Sequence, residues 1–97
     1  MLRNAKVDLN HPQIVKELRD KGYQVKSLAQ LKNCCDLLVY DGVRLGLFEV
    51  KSNLNIKKYP YPERVQFMTD GEKRFAEDFV VWVVVDSEEI IEIMKKL

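Results

Sequence analysis

The chain has little of several things. Its 97 residues include two cysteines, three prolines, one histidine and one tryptophan, and no apolar run nears the ~20 residues of a membrane span. Each shortage removes a class of protein. Cys34 and Cys35 are adjacent, which rarely permits a mutual disulfide, and no further Cys or nearby His completes a zinc set. Both are expected to be reduced packing residues. The opening stretch, Met1 to Asp8, has no apolar core of signal-peptide length, so the expected location is the cytoplasm. The net charge of +1 argues neither for nor against a nucleic-acid partner, which would need positive charge that is clustered rather than abundant.

What is present suits one small folded domain spanning residues 1–97. A hydrophobic content of 46% supplies a core and 32% charged residues a solvated surface, but the length is too short for two cores. Asn10-His11-Pro12 opens a helix of about eleven residues, with Asn10 as N-cap, Ile14, Val15 and Leu18 on one face and Gly22 as the stop. Tyr23–Leu28 alternates as a strand. A polar stretch, Ala29–Asn33, leads to a strand at Asp36–Tyr40, an Asp41-Gly42 turn and a partner strand at Leu45–Lys51. Residues 52–67 show no period and read as a long loop, of the kind that is usually functional or mobile. Thr69–Phe79 reads as a helix and Phe79–Val85 as a buried strand parallel to a neighbour. Asp86-Ser87-Glu88-Glu89 caps a last helix that ends in Lys95-Lys96, with charges matched to its dipole. The order α-β-β-β-α-β-α predicts an α/β fold, a mixed sheet with helices on its faces.

One constellation carries chemistry. Asp36 is followed, after twelve residues, by Glu49-Val50-Lys51. Alternate side chains of a strand share a face, so Glu49 and Lys51 point one way while Phe48 and Val50 point into the core. The hairpin brings Asp36 beside Glu49. Two neighbouring carboxylates repel, and a hard divalent cation such as Mg²⁺ or Mn²⁺ relieves that repulsion. Such a metal acidifies a bound water and neutralises charge on a phosphate, and Lys51 would orient the nucleophile or stabilise the transition state. As a bare pattern the spacing is weak, and a solvated face with Asp36 as a turn residue fits it as well.

Longer stretches carry a resemblance. Asn10-His-Pro-Gln-Ile14, Cys35-Asp36-Leu-Leu-Val39, Phe48-Glu-Val-Lys51, Met68-Thr-Asp-Gly-Glu72 with Phe75, Val80–Val85 and Ser87–Met94 together resemble the VRR-NUC branch of the PD-(D/E)xK nucleases, above all its small stand-alone phage and bacterial members. The resemblance covers nearly the whole chain. It implies a restriction-endonuclease-like fold and a metal-dependent endonuclease active on branched DNA such as four-way (Holliday) junctions, working as a homodimer in a bacterium or phage-infected cell. By the same resemblance Asp36 and Glu49 bind Mg²⁺ or Mn²⁺, the Val50 carbonyl is a third ligand and Lys51 is the catalytic lysine.

Three positions depart from that pattern. Cys35 and Asp70 stand where the family has proline. The glutamate that related resolvases carry near the start of helix one has no clear counterpart, with His11, Gln13 and Glu17 the nearest candidates; His11 reads first as a helix-start surface residue. Glu72 is either a capping-box acid paired with Thr69 or a neighbour of the active site. Lys57, Lys58 and Arg64, interleaved with Tyr59 and Tyr61, suit a nucleic-acid backbone and unstacked bases, an ordinary solvated loop or a dimer contact. Two other functions stay open: a non-catalytic or partner-dependent DNA-binding module of the same fold, and a small structural or toxin-neutralising domain.

Overall fold

The computed structural model describes residues 10–97; the opening stretch tested above for a signal peptide lies outside them. Helix α1 (His11–Asp20) leads to β1 (Gln24–Ser27), β2 (Leu37–Tyr40) and β3 (Leu45–Val50). Two 3-10 helices, Leu54–Lys58 and Tyr61–Phe67, precede α2 (Asp70–Asp78), β4 (Val81–Val84) and α3 (Ser87–Lys96). The strands form one mixed sheet in the order β1-β2-β3-β4, antiparallel except for the parallel β3–β4 pair. This is an α/β fold with a four-stranded sheet flanked by helices. Among the described residues no helix is long and apolar enough to cross a membrane.

Strand alternation divides the core between the two faces. Leu37, Val39, Phe48, Val50 and Val84 point to one side and pack with Ile14 and Leu18 of α1 and Ile90, Ile93 and Met94 of α3. Burying a side chain such as Phe48 or Leu18 contributes roughly 1.5–3 kcal/mol each. On the other face Val83 meets Ile56, Met68 and Val85, beneath the 3-10 segment and α2. Gly22, at φ +95°, ends α1 as its sequence position predicts, and the Gly22 and Tyr23 N–H groups close on the Arg19 and Leu18 carbonyls.

Three expectations are corrected. Residues 52–67 are not an irregular loop: Asn53 caps the first 3-10 helix by accepting the Asn55 N–H, and buried Arg64 pins the second. Runs this short at a period near three leave no pattern to read in a sequence. The strand predicted from Phe79 begins at Val81. Phe79 instead ends α2, its N–H on the Phe75 carbonyl and its ring stacked on Phe75, so Phe79 and Val80 are exposed. Asn10 occupies the N-cap position without capping: its Nδ2 donates to the Val85 carbonyl (2.8 Å) and the Lys51 carbonyl (3.3 Å). It thereby ties the start of α1 to the ends of β3 and β4.

Candidate active site

Where β2 begins and β3 ends, the structure brings Asp36, Glu49 and Glu72 together. Leu37 pairs with Phe48, so one step further the antiparallel register sets Asp36 opposite Glu49, on the face turned away from α1 and α3. The Asp36 N–H bonds the Phe48 carbonyl, and its Oδ2 accepts the Val50 N–H at 2.7 Å, which fixes the carboxylate across the hairpin. Lys51 Nζ lies 3.3 Å from Glu49 Oε2 and 3.6 Å from Glu72 Oε1. All four side chains and Val50 line one cleft of about 330 Å³, walled by residues 29–35 on one side and the start of α2 on the other.

Both readings of Glu72 hold together. Its Oε1 accepts the Thr69 N–H while Thr69 Oγ1 accepts the Glu72 N–H, a complete capping box, and the same carboxylate faces Lys51. The cap thus aims an acid into the cleft.

The electrostatics are those of a crowded anionic site. Burial, followed by the charges of Asp36 and Glu72, pushes the Glu49 carboxyl up to about 9 against the opposing pull of Lys51. Asp36 is also raised, chiefly by burial, with the Val50 N–H and the nearby His11 working against the rise. Glu49 Oε1 is buried and has no hydrogen-bond partner among the described residues. Orphaned buried carboxylate oxygens are costly, and a hard cation satisfies them. Asp36, Glu49 and the Val50 carbonyl therefore fit a divalent ion, although among the described residues no group of three or more His, Cys, Asp or Glu side chains is arranged to hold one.

These shifts fix the sign of a pH effect. A carboxyl whose pKa is higher in the folded than in the unfolded chain contributes stability at low pH, which is lost as pH rises from its ordinary 4.5 towards about 9. In chelator the folding stability is expected to fall from pH 5 to pH 9, by no more than ~1.4 kcal/mol per pH unit from this one group, and the melting temperature to fall with it. Glu49→Gln should flatten that slope; an identical slope in the variant would remove Glu49 as its source.

No family model, curated protein or solved structure matches the chain. Its chemistry rests on its own residues.

The remaining candidates are placed as follows. His11 is buried rather than on the surface, because the first turn of α1 closes on β1 and brings its Nε2 to 3.5 Å from Ser27 Oγ. Gln13 and Glu17 bond each other, and Glu17 accepts the Ser87 hydroxyl at 2.7 Å. Both therefore serve the α1–α3 contact and stay out of the cleft. Lys57 pairs with Asp86 at 2.8 Å, and exposed Tyr59 packs edge-on against Phe67. Lys58 is exposed. Arg64, read above as a nucleic-acid contact, is only 3% exposed and is spent on the protein itself. Its guanidinium forks onto Glu89 (2.9 and 3.1 Å), bonds the Val83 and Tyr59 carbonyls and lies 4.3 Å from the Tyr61 ring centroid.

Cys34 and Cys35 are free thiols, and burial pushes the Cys35 thiol up, away from any thiolate role. Sequence reasoning missed Gln30, Lys32, Asn33 and Cys34 as cleft residues. It treated 29–33 as a connector, and nothing in its pattern places it over the carboxylates.

Proposed function

We propose that this chain is a metal-dependent endodeoxyribonuclease of restriction-endonuclease-like fold, acting on branched DNA such as four-way junctions. One observation carries the reading: Asp36, Glu49 and Lys51 share a cleft in which a Glu49 oxygen is buried without a partner. The VRR-NUC resemblance supplies the substrate class. It also supplies a homodimer, whose two-fold symmetry suits cutting two strands.

Asp36, Glu49 and the Val50 carbonyl would hold Mg²⁺ or Mn²⁺, which supplies an acidified water and charge neutralisation at the phosphate. The chain's own residues do the rest. The Val50 N–H holds Asp36 in its rotamer before substrate arrives. Lys51, between Glu49 and Glu72, places its side-chain nitrogen where the phosphate gains negative charge, in a site fixed in advance. Glu72 anchors that ammonium and is itself held by the helix cap.

Mn²⁺ is expected to raise the melting temperature of the wild type, by about 2.7 kcal/mol of stabilisation at a hundredfold excess over Kd, and Asp36→Asn is expected to abolish the rise. A rise that survives in Asp36→Asn places the ion elsewhere. The second reading, a DNA-binding module without catalysis, is favoured by the small donor set of two carboxylates and a carbonyl. Metal-dependent junction binding with no cutting of a labelled four-way junction in Mg²⁺ or Mn²⁺ would select it.

A further inference from the structure

We propose that the β1–β2 connection, residues 29–35, is a substrate-reading loop in which Lys32 holds a backbone phosphate next to the one being cut and Leu31 packs against an unstacked base. The inference rests on the nuclease reading and adds the part of the site that senses DNA shape.

Three observations converge on this loop. It forms a wall of the same cleft that holds Asp36, Glu49 and Lys51, so whatever occupies the cleft touches it. At its rim Leu31 stands 58% exposed, and the neighbouring Lys32 is exposed and has no ion pair among the described residues. The loop is also held in place. Asn33 adopts a left-handed conformation (φ +54°), unusual outside glycine, and its side-chain amide lies against Gly71 in the first turn of α2. A methyl group at Gly71 would collide with that amide. Gly71 neighbours Glu72, so the contact joins the two walls of the cleft and sets Leu31 and Lys32 at a defined offset from Lys51.

Chemistry assigns the two rim residues different tasks. The cleft floor is acidic, and a polyanion approaching Asp36, Glu49 and Glu72 needs positive charge at the entrance, which Lys32 provides without regard to sequence. An apolar side chain beside a phosphate site gains little from an intact duplex, whose bases are stacked. It gains where a base is already exposed, as at a junction or frayed end, and leucine is among the residues that proteins wedge against base steps. Together they would favour branched over linear DNA with no base-reading helix.

Fluorescence anisotropy in Ca²⁺ tests this, with a labelled four-way junction and a linear duplex of one arm's sequence titrated at several salt concentrations. Lys32→Ala is expected to weaken binding to both about fivefold to tenfold and to reduce the salt slope by about one. Leu31→Ala should lower junction affinity more than duplex affinity, shrinking the preference roughly fivefold. Gly71→Ala should show both defects while retaining the Mn²⁺-dependent rise in melting temperature. Lys16→Ala, in an exposed pair with Asp20 on the opposite side of the sheet, is the unaffected control. Wild-type affinity and preference in both Lys32→Ala and Leu31→Ala would overturn the loop's role and leave the nuclease reading standing. A wild-type chain that binds neither DNA would overturn both.

Discussion

Arg64→Ala is expected to cost about 3–5 kcal/mol of folding stability, enough to leave a domain of this size close to unfolding. Arg64 and Glu89 are both buried and form a bidentate pair, and Glu89 Oε1 also accepts the Val85 N–H. Through the Val83, Tyr59 and Lys57 carbonyls the same guanidinium fastens the second 3-10 helix to β4 and to the first 3-10 helix. Truncation would leave the Glu89 charge buried without its partner and several carbonyls without their donor. Lysine should not rescue it, since an ammonium cannot reproduce the fork. Replacing both partners by apolar residues of similar volume should cost much less than the two single changes added together. Urea denaturation at neutral pH measures each, and a loss below about 1 kcal/mol in Arg64→Ala would show that the network contributes little.

Lys51→Ala should reduce junction cleavage by about two to three orders of magnitude, the usual scale for removing one group that stabilises charge in a transition state. The fold should survive, because Lys51 stands at the end of β3 with its side chain in the cleft and its backbone N–H, bonded to the Val84 carbonyl, unchanged by the substitution. Wild-type-like thermal unfolding together with lost cutting would place the defect in chemistry. Full activity in the variant would mean that the hydrolysis belongs to a contaminant or to another site. Single-turnover rates at saturating enzyme separate a chemical defect from weakened binding, and a chemical defect is the expected one.

The two effects differ in how far the sequence foretells them. Alternation along a strand is a local geometric rule, so Asp36 and Glu49 on one face and Phe48 and Val50 on the other follow from residue order alone. The stop at Gly22 and the capping box at Thr69-Glu72 are also contained within a few consecutive residues. Arg64 is different. In the sequence it sits among lysines and tyrosines and looks like a surface cation; its partner Glu89 is 25 residues away and looks like a helix-start acid. Only the packing of the 3-10 segment against β4 and α3 buries both. His11 was hidden in the same way, since it is buried where the start of α1 meets β1, with its Nε2 3.5 Å from Ser27 Oγ.

By itself the sequence determined the α-helices and strands apart from some of their ends, the faces of the strands and the acid–acid–lysine set, because each depends on short-range periodicity or on spacing across one hairpin; the two 3-10 helices it left unread. The tertiary structure alone decided that Glu72 joins the set, that Arg64 leaves the surface, that Gln13 and Glu17 serve α3, and that the 29–35 connection folds over the carboxylates. Those outcomes depend on which elements pack together. Desolvation and charge pairing between residues distant in the chain then decide whether a charged side chain becomes a strut, a surface group or part of a site.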